Sequence, residues 1–366
     1  MHTGLFHTPD LERDGKALSH LGLPLSVDSS PYFQIKVAIC VIGNGAGPSV
    51  LLMAGNHSDE YEGELSRLIR KLDPSRMRGR VTILPLANAP AVMAARRCSP
   101  LDGGNLNRAF PGAPNGAPTP RLAHFLETYL FPRHDVVFDI HAGGTSMAHL
   151  LCALIEANAD ASRHEAALSL MQRLGSPFGF VADNGRGTPT SMGAARRAGA
   201  IGFSGEFGGG GATTPERMAA TESAINNLLL TPGVTETPVF QRSPTTAAPM
   251  RLLSLSRQSQ AIYAVRRGWF KPAHPLGALA AAGEVAGWMQ DLERLDAPRR
   301  RALLRRGRRR ALASSAHDVR GRRLPDSARR DPRVSNLGLM MKDHSARSAD
   351  GIDASTPHFP GKALPC

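Results

Sequence analysis

This chain has no run of 18 uncharged apolar residues, so no transmembrane helix is expected. Its first residues, MHTGLFHTPDLERDGK, lack the basic stretch and apolar core of a secretory signal, and a cytoplasmic location is expected. Cysteine is scarce. Cys40, Cys98, Cys152 and Cys366 form no CxxC pair, and Cys40 and Cys152 sit in apolar runs. That pattern reads as buried thiols in a reducing compartment, not as a disulfide framework. Acidic charge is also short. Lys and Arg number 44 against 31 Asp and Glu, a net charge of +13. Such an excess suggests nucleic acid until it is located. Between Arg299 and Arg333 stand 14 Arg and 3 Asp, or +11, and residues 334–366 are balanced, which leaves +2 on residues 1–298. The body of the protein is nearly neutral, and the basicity belongs to one late segment. That segment has no aromatic interleaving and no recognition motif, so no specific nucleic-acid partner is expected.

What is present is a set of short polar motifs, each following an apolar run. Val50–Ala54 leads into Gly55-Asn56-His57-Ser58-Asp59-Glu60-Tyr61-Glu62-Gly63. His57 and Glu60, three residues apart, can put an imidazole nitrogen and a carboxylate oxygen on one metal ion. H-x-x-E alone is common by chance, but two further segments support it. Val136-Val137-Phe138 leads into Asp139-Ile140-His141-Ala142-Gly143-Gly144, which offers His141 as a third ligand. A third apolar stretch precedes Gly205-Glu206-Phe207-Gly208-Gly209-Gly210-Gly211, which offers Glu206 as a free carboxylate. Two His and one Glu around zinc leave a fourth position open for water, as a catalytic zinc requires. A nearby carboxylate then serves as general base. Asp139, two residues before His141, is expected to point to the opposite side if the strand continues. Its role is then a structural hydrogen bond or outer support of the site. His124 and His149 are poor ligand candidates, and Trp269 and Trp288 read as packing.

GNHSDEYEG (55–63), SPLDGGNLNRAFPG (99–112), DIHAGG (139–144) and GEFGGGG (205–211) together resemble the succinylglutamate desuccinylase/aspartoacylase family over roughly residues 10–290. The wording EYEG, GGNLNRAFPG and GGGG is most similar to the N-alpha-acetyl-L-2,4-diaminobutyrate deacetylases of ectoine breakdown. Ser58 stands where those relatives usually carry Gly, and Phe207 where they often carry Leu. The resemblance implies a zinc-dependent amidohydrolase with the zinc-carboxypeptidase fold. It implies one zinc per chain on His57, Glu60 and His141, and Glu206 as the base that passes a proton to the leaving amine. Asn107 and Arg108 would bind the substrate carboxylate, a guanidinium fork matching a carboxylate with two parallel bonds. Arg97 would polarise the scissile carbonyl, with Arg96 as its rival. The implied substrate is a small N-acyl amino acid. A succinylglutamate or aspartate type of substrate is one alternative, and a non-catalytic basic nucleic-acid-binding protein is another. A homo-oligomer is compatible with either reading.

The apolar pattern predicts strands over 36–43, 49–55, 80–87, 135–140 and 200–206 and helices over 62–72, 120–131, 159–174 and 215–230. This alternation means an α/β sheet covered by helices on both faces. Around it the sequence predicts a polar N-terminal extension (1–35), a catalytic domain (36–232), a Pro- and Thr-rich linker (233–250), a partial β domain (251–298) and a disordered Arg-rich tail (299–366). Arg-rich, patternless sequence is also what a shifted reading frame of a GC-rich gene gives, so a tail read out of frame is a second account of 299–366.

Overall fold

The computed structural model describes residues 9–182, 187–241, 249–253, 262–263, 268–281 and 283–303, with the backbone of three short strands beyond. In chain order the first half comprises β1 (Gly15–Val27), β2 (Ser30–Asn44), β3 (Ser49–Met53), α1 (Ser66–Lys71), β4 (Gly79–Leu84), α2 (Ala89–Met93), α3 (Pro118–Phe125) and β5 (Val136–His141). There follow β6 (Met147–His149), β7 (Cys152–Glu156), α4 (Ala161–Arg173), β8 (Phe178–Ala182), α5 (Ser191–Arg197), β9 (Ile201–Glu206), α6 (Pro215–Leu230) and β10 (Arg251–Leu253). Nine of these strands form one mixed sheet in the order β1-β2-β4-β3-β5-β9-β7-β8-β10. The run β4-β3-β5-β9 is parallel, and β7 enters antiparallel to β9.

Among the central strands, β5 is buried along its whole length, and β3, β4 and β9 nearly so. β5 is apolar but for Asp139 and His141, as expected of a strand covered on both faces. Two apolar clusters sit on opposite faces. One gathers Leu52, Phe138 and Phe203 with Leu228 of α6, the other Leu51, Met53 and Val137 with Phe125 of α3. Phe138 and Phe203 touch across neighbouring strands with ring centroids 4.8 Å apart. The mixed sheet flanked by helices is the architecture that the strand and helix alternation and the family resemblance imply.

The N-terminal extension is corrected. Residues 15–44 form a long hairpin that pairs register by register from Gly15↔Gly43 to Val27↔Ser30 and closes one edge of the sheet. Pro24 lies in β1, an edge strand that needs no second ladder partner. Asp160, Thr190 and Thr214 cap α4, α5 and α6, each side chain accepting from a backbone N–H three residues on.

The C-terminal boundaries also shift. β10 lies beside β8 and so extends the main sheet past residue 232. The small domain comprises β11 (Gly268–Pro272), β12 (Leu279–Ala280), β13 (Val285–Asp291) and β14 (Arg300–Leu303), followed by β15 (Arg310–Ala311), β16 (Ser314–Ala316) and β17 (Asp318–Val319). β14 pairs antiparallel with β13, so ordered structure does not end at residue 298. β15, β16 and β17 pair with β12, β6 and β11. A backbone ladder needs no apolar alternation, and so the Arg-rich strands escaped the period-2 test. The rest of the expected tail, residues 304–309, 312–313, 317 and 320–366, lies outside the described residues. Trp269 is 60 % exposed and does not pack as expected. Cys40 and Cys152 are buried thiols, as expected, and Cys366 lies outside the described residues. No helix among the described residues is long and apolar enough to cross a membrane.

Candidate active site

The parallel strands β3, β5 and β9 end at one edge of the sheet, where open α/β sheets place their ligands. Beyond β3 the chain turns through Gly55 at φ +70. A side chain at residue 55 would press on the backbone of Pro85 and Leu86, so the loop carrying His57 can lie close to the next strand. His141 is the last residue of β5 and Glu206 the last of β9, and the two are register partners.

His57, Glu60 and His141 converge, their ligand atoms all within 4.8 Å of one another. Glu60 lies between the rings: Oε1 is 2.6 Å from His57 Nδ1 and Oε2 2.7 Å from His141 Nδ1. The far nitrogens are engaged as well. His57 Nε2 lies 3.2 Å from Asn105 Oδ1, and His141 Nε2 lies 2.9 Å from Asp139 Oδ2. Asn105 Oδ1 also accepts from the Asn107 N–H, which identifies it as the carbonyl oxygen. His57 thus faces an acceptor with each ring nitrogen, Glu60 at Nδ1 and Asn105 at Nε2. His141 stands between two carboxylates. The cluster has more acceptors than donors, and a cation balances it. A proton can fill this role: burial alone lowers the basicity of His141, but Asp139 and Glu60 outweigh it and hold the ring well above the ordinary histidine range. Burial would raise Glu60, yet His57 and His141 hold it well below the usual carboxylate range. A divalent metal suits the same set of two imidazole nitrogens and one carboxylate.

Asp139 is corrected. Residues two apart in a strand share a face, and Asp139 sits beside His141. Asn56 donates to its Oδ2 at 2.6 Å, and Ser191 Oγ donates to the same oxygen. Such outer contacts fix the ring orientation of a ligating histidine.

Glu206 is 1 % exposed, and its Oε2 has no hydrogen-bond partner among the described residues. Burial pushes its carboxyl up to about 8; His141 and Arg97 oppose this, while Glu60 and Asp139 add to it. Arg97 Nη1 lies 3.5 Å from Glu60 Oε1, its side chain partly open to solvent, so the structure brings it to the cluster. Asn107 is buried. Its Oδ1 accepts from Ser191 N–H at 2.8 Å, and its Nδ2 is 3.3 Å from His141 Nε2. Arg108 donates from Nη1 to the Asn107 carbonyl at 2.7 Å. Of the residues expected from the motifs, His141 and Glu206 end strands β5 and β9, His57, Glu60, Arg97 and Asn107 reach the same cluster from other segments, and Arg108 follows Asn107.

Sequence reasoning missed the groups that hold this site together. Glu62 is buried and accepts from Gly209 N–H at 3.0 Å, and Arg217 donates to Gly209 O at 2.6 Å. Together they clamp the four-glycine run. Asp59 accepts from Thr145 N–H at 2.7 Å and secures the turn after His141. EYEG carried a usable signal, a second acidic residue at a two-residue spacing. Arg217 and Ser191 carried none, since their partners are remote in sequence.

Residues 46–231 match the succinylglutamate desuccinylase/aspartoacylase catalytic domain. The chain is 39 % identical over 231 residues to the N-alpha-acetyl-L-2,4-diaminobutyric acid deacetylase of Halomonas elongata, an alignment covering 63 % of this chain and 68 % of that one. The crystal structure of a succinylglutamate desuccinylase/aspartoacylase from Rhodobacter sphaeroides superposes with a TM-score of 0.76 at 32 % identity, covering 86 % of this chain and 98 % of that one. The product-bound ectoine utilization protein EutE of Ruegeria pomeroyi superposes with a TM-score of 0.79 at 28 % identity, over 87 % and 98 % of the two chains. With its motifs gathered at one strand edge and residues 46–231 matched by the family's catalytic domain, the chain belongs to the succinylglutamate desuccinylase/aspartoacylase family and is an amide-cleaving hydrolase.

Proposed function

We propose that this protein is a zinc-dependent deacylase that removes the acetyl group of N-alpha-acetyl-L-2,4-diaminobutyrate, with one zinc per chain on His57, Glu60 and His141. The observation that carries the metal is the excess of acceptors: two ring nitrogens face a buried carboxylate at 2.6 and 2.7 Å while their far nitrogens are already bonded. The substrate is supported by the activity named for the Halomonas relative. A bound zinc supplies Lewis acidity and makes water a nucleophile near neutral pH. Glu206 takes the proton of the attacking water as the C–O bond forms. It returns that proton to the amide nitrogen as the C–N bond breaks, so acetate and a free amine leave. A carboxyl held near 8 by burial suits both halves of this transfer better than an ordinary carboxylate. Arg108 and Asn107 bind the substrate carboxylate, and the Arg97 guanidinium faces the charge that develops on the carbonyl oxygen.

The test is a screen of zinc-loaded protein over a panel of N-acyl amino acids, with metal analysis. N-alpha-acetyl-L-2,4-diaminobutyrate should turn over fastest, and His57→Ala or His141→Ala should lose zinc. Glu206→Gln should keep zinc and lose roughly 10²–10⁴ in rate, the usual contribution of a positioned base. Undiminished zinc in both histidine variants sinks the metal assignment. Faster turnover of a succinyl or aspartyl substrate sinks the substrate.

A further inference from the structure

Beside Glu206 lies a second buried titratable group that the reaction above does not use. His149 ends β6, the short strand between the turn after His141 and the start of β7. Its side chain is 1 % exposed, and its Nε2 lies 4.0 Å from Glu206 Oε2, itself 2 % exposed. Both groups have unmet polar atoms: Glu206 Oε2 and His149 Nδ1 find no hydrogen-bond partner among the described residues. A buried polar atom left unpaired is costly, and the unmet Glu206 Oε2, which His149 Nε2 faces, is explained by a bond made in one state of the enzyme.

The imidazole is held where it is by backbone. His149 N–H donates to Gly208 O at 2.8 Å, two residues past Glu206, and Met147 N–H donates to Gly143 O at 3.1 Å. Ala148 bridges to Gly209. A side chain at position 143 would press on His149 Cδ2 at 3.0 Å, so the glycine there leaves the ring its space. The ring and the carboxylate are thus carried by segments bonded directly to each other.

We propose that His149 is a positioning residue for Glu206, its Nε2–H donating to Oε2 and leaving the other carboxylate oxygen to carry the transferred proton. The 4.0 Å separation is about 1 Å longer than a hydrogen bond, and catalytic bonds in a free enzyme commonly tighten when substrate enters. Burial drives His149 down to about 4, so the ring is neutral and keeps a single N–H. A neutral donor suits the task. It steadies the ionised carboxylate, whereas a fixed positive charge would hold the proton off Glu206 and hinder its transfer to the amine. This inference rests on the reading of Glu206 as the base.

The experiment compares His149→Phe, His149→Gln and His149→Asn in the full-length zinc enzyme, with Glu206→Gln alongside. It reads kcat, KM, zinc content and thermal melting with the best substrate of the panel. The amide nitrogen of Gln reaches the place of Nε2, while that of Asn sits near Nδ1. His149→Phe should lower kcat by about 10–100-fold, the usual cost of losing an outer partner, with KM within about 3-fold and zinc unchanged. His149→Gln should recover most of the rate, and His149→Asn should not. Wild-type kcat in His149→Phe with Glu206→Gln inactive overturns the role of His149 alone. Equal rates for the Gln and Asn variants overturn it too, and that comparison decides the matter should the Phe variant fail to fold. Wild-type turnover in Glu206→Gln overturns the base assignment itself.

Discussion

His134 shows how a single buried ring, far from the chemistry, sets a stability limit. Its Nδ1 lies 2.9 Å from Leu130 O and its Nε2 2.8 Å from Thr82 Oγ1. A carbonyl only accepts, so Nδ1 carries the proton and Nε2 receives one from Thr82. Burial lowers this ring to about 4. The unfolded chain takes up a proton below about 6.5, while the folded protein resists until about 4. The stability that His134 provides is therefore complete above about pH 6.5 and is lost as pH falls toward 4. By pH 5 the loss is about 2 kcal/mol. Urea unfolding of wild type and His134→Asn at pH 7.5 and pH 5 checks this. The variant keeps the Nδ1-side donor but does not titrate, so its pH-dependent loss should shrink; an unchanged loss assigns the effect to other groups. At this same scale the sequence was legible where chemistry is local. His57, Glu60, His141 and Glu206 announced themselves by residue type next to apolar runs. Asp139 was visible but misplaced, and Ser191 and Arg217 were silent because their contacts span the fold.

The loop after β9 shows what one element contributes. Gly208 to Gly211 all have positive φ, between +74 and +135. Gly209 N–H reaches Glu62, and a β-carbon there would stand 2.3 Å from Met147 O and collide with Gly143. Gly209→Ala should therefore displace the strand that pairs with this loop, shift Glu206, and cut kcat by at least about 10-fold while zinc content holds. A Gly210→Ala control, with nothing near its β-carbon, should cost less. Equal losses in the two variants would mean that backbone freedom matters there and close approach does not. Strands β2 to β5 and β9, and helices α4 and α6, could be read from periodicity because each buries a regular face. β1 and β14 could not. The first is interrupted by Pro24, and the second is masked by arginine, though both satisfy their backbone in ladders.

At the scale of the whole molecule, charge and fold divide the chain differently. Most of the excess positive charge lies beyond Leu303, while β15, β16 and β17 return to the folded body. A chain ending at Leu303 should elute from a cation exchanger at much lower salt than the full chain. Its zinc content should hold, since the proposed ligands lie elsewhere. Its kcat should fall, because β16 pairs with β6, the strand that carries His149. Unaltered kcat would show that this pairing does not support the site.

The convergence of His57, Glu60 and His141 has a consequence for folding itself. The loop after β3 and the end of β5 are far apart in sequence and come together only in the native sheet. An ion gripping both acts as a removable crosslink between them, and its occupancy reports on the native population. A ligand that binds only the folded state stabilises it by about 4 kcal/mol at a thousandfold excess over its Kd. Chelation should therefore lower the melting temperature, and added zinc should raise it in proportion to the logarithm of its free concentration. His141→Ala should melt at one temperature whatever the zinc level. A wild-type Tm indifferent to chelator would mean that the three side chains meet without needing an ion between them.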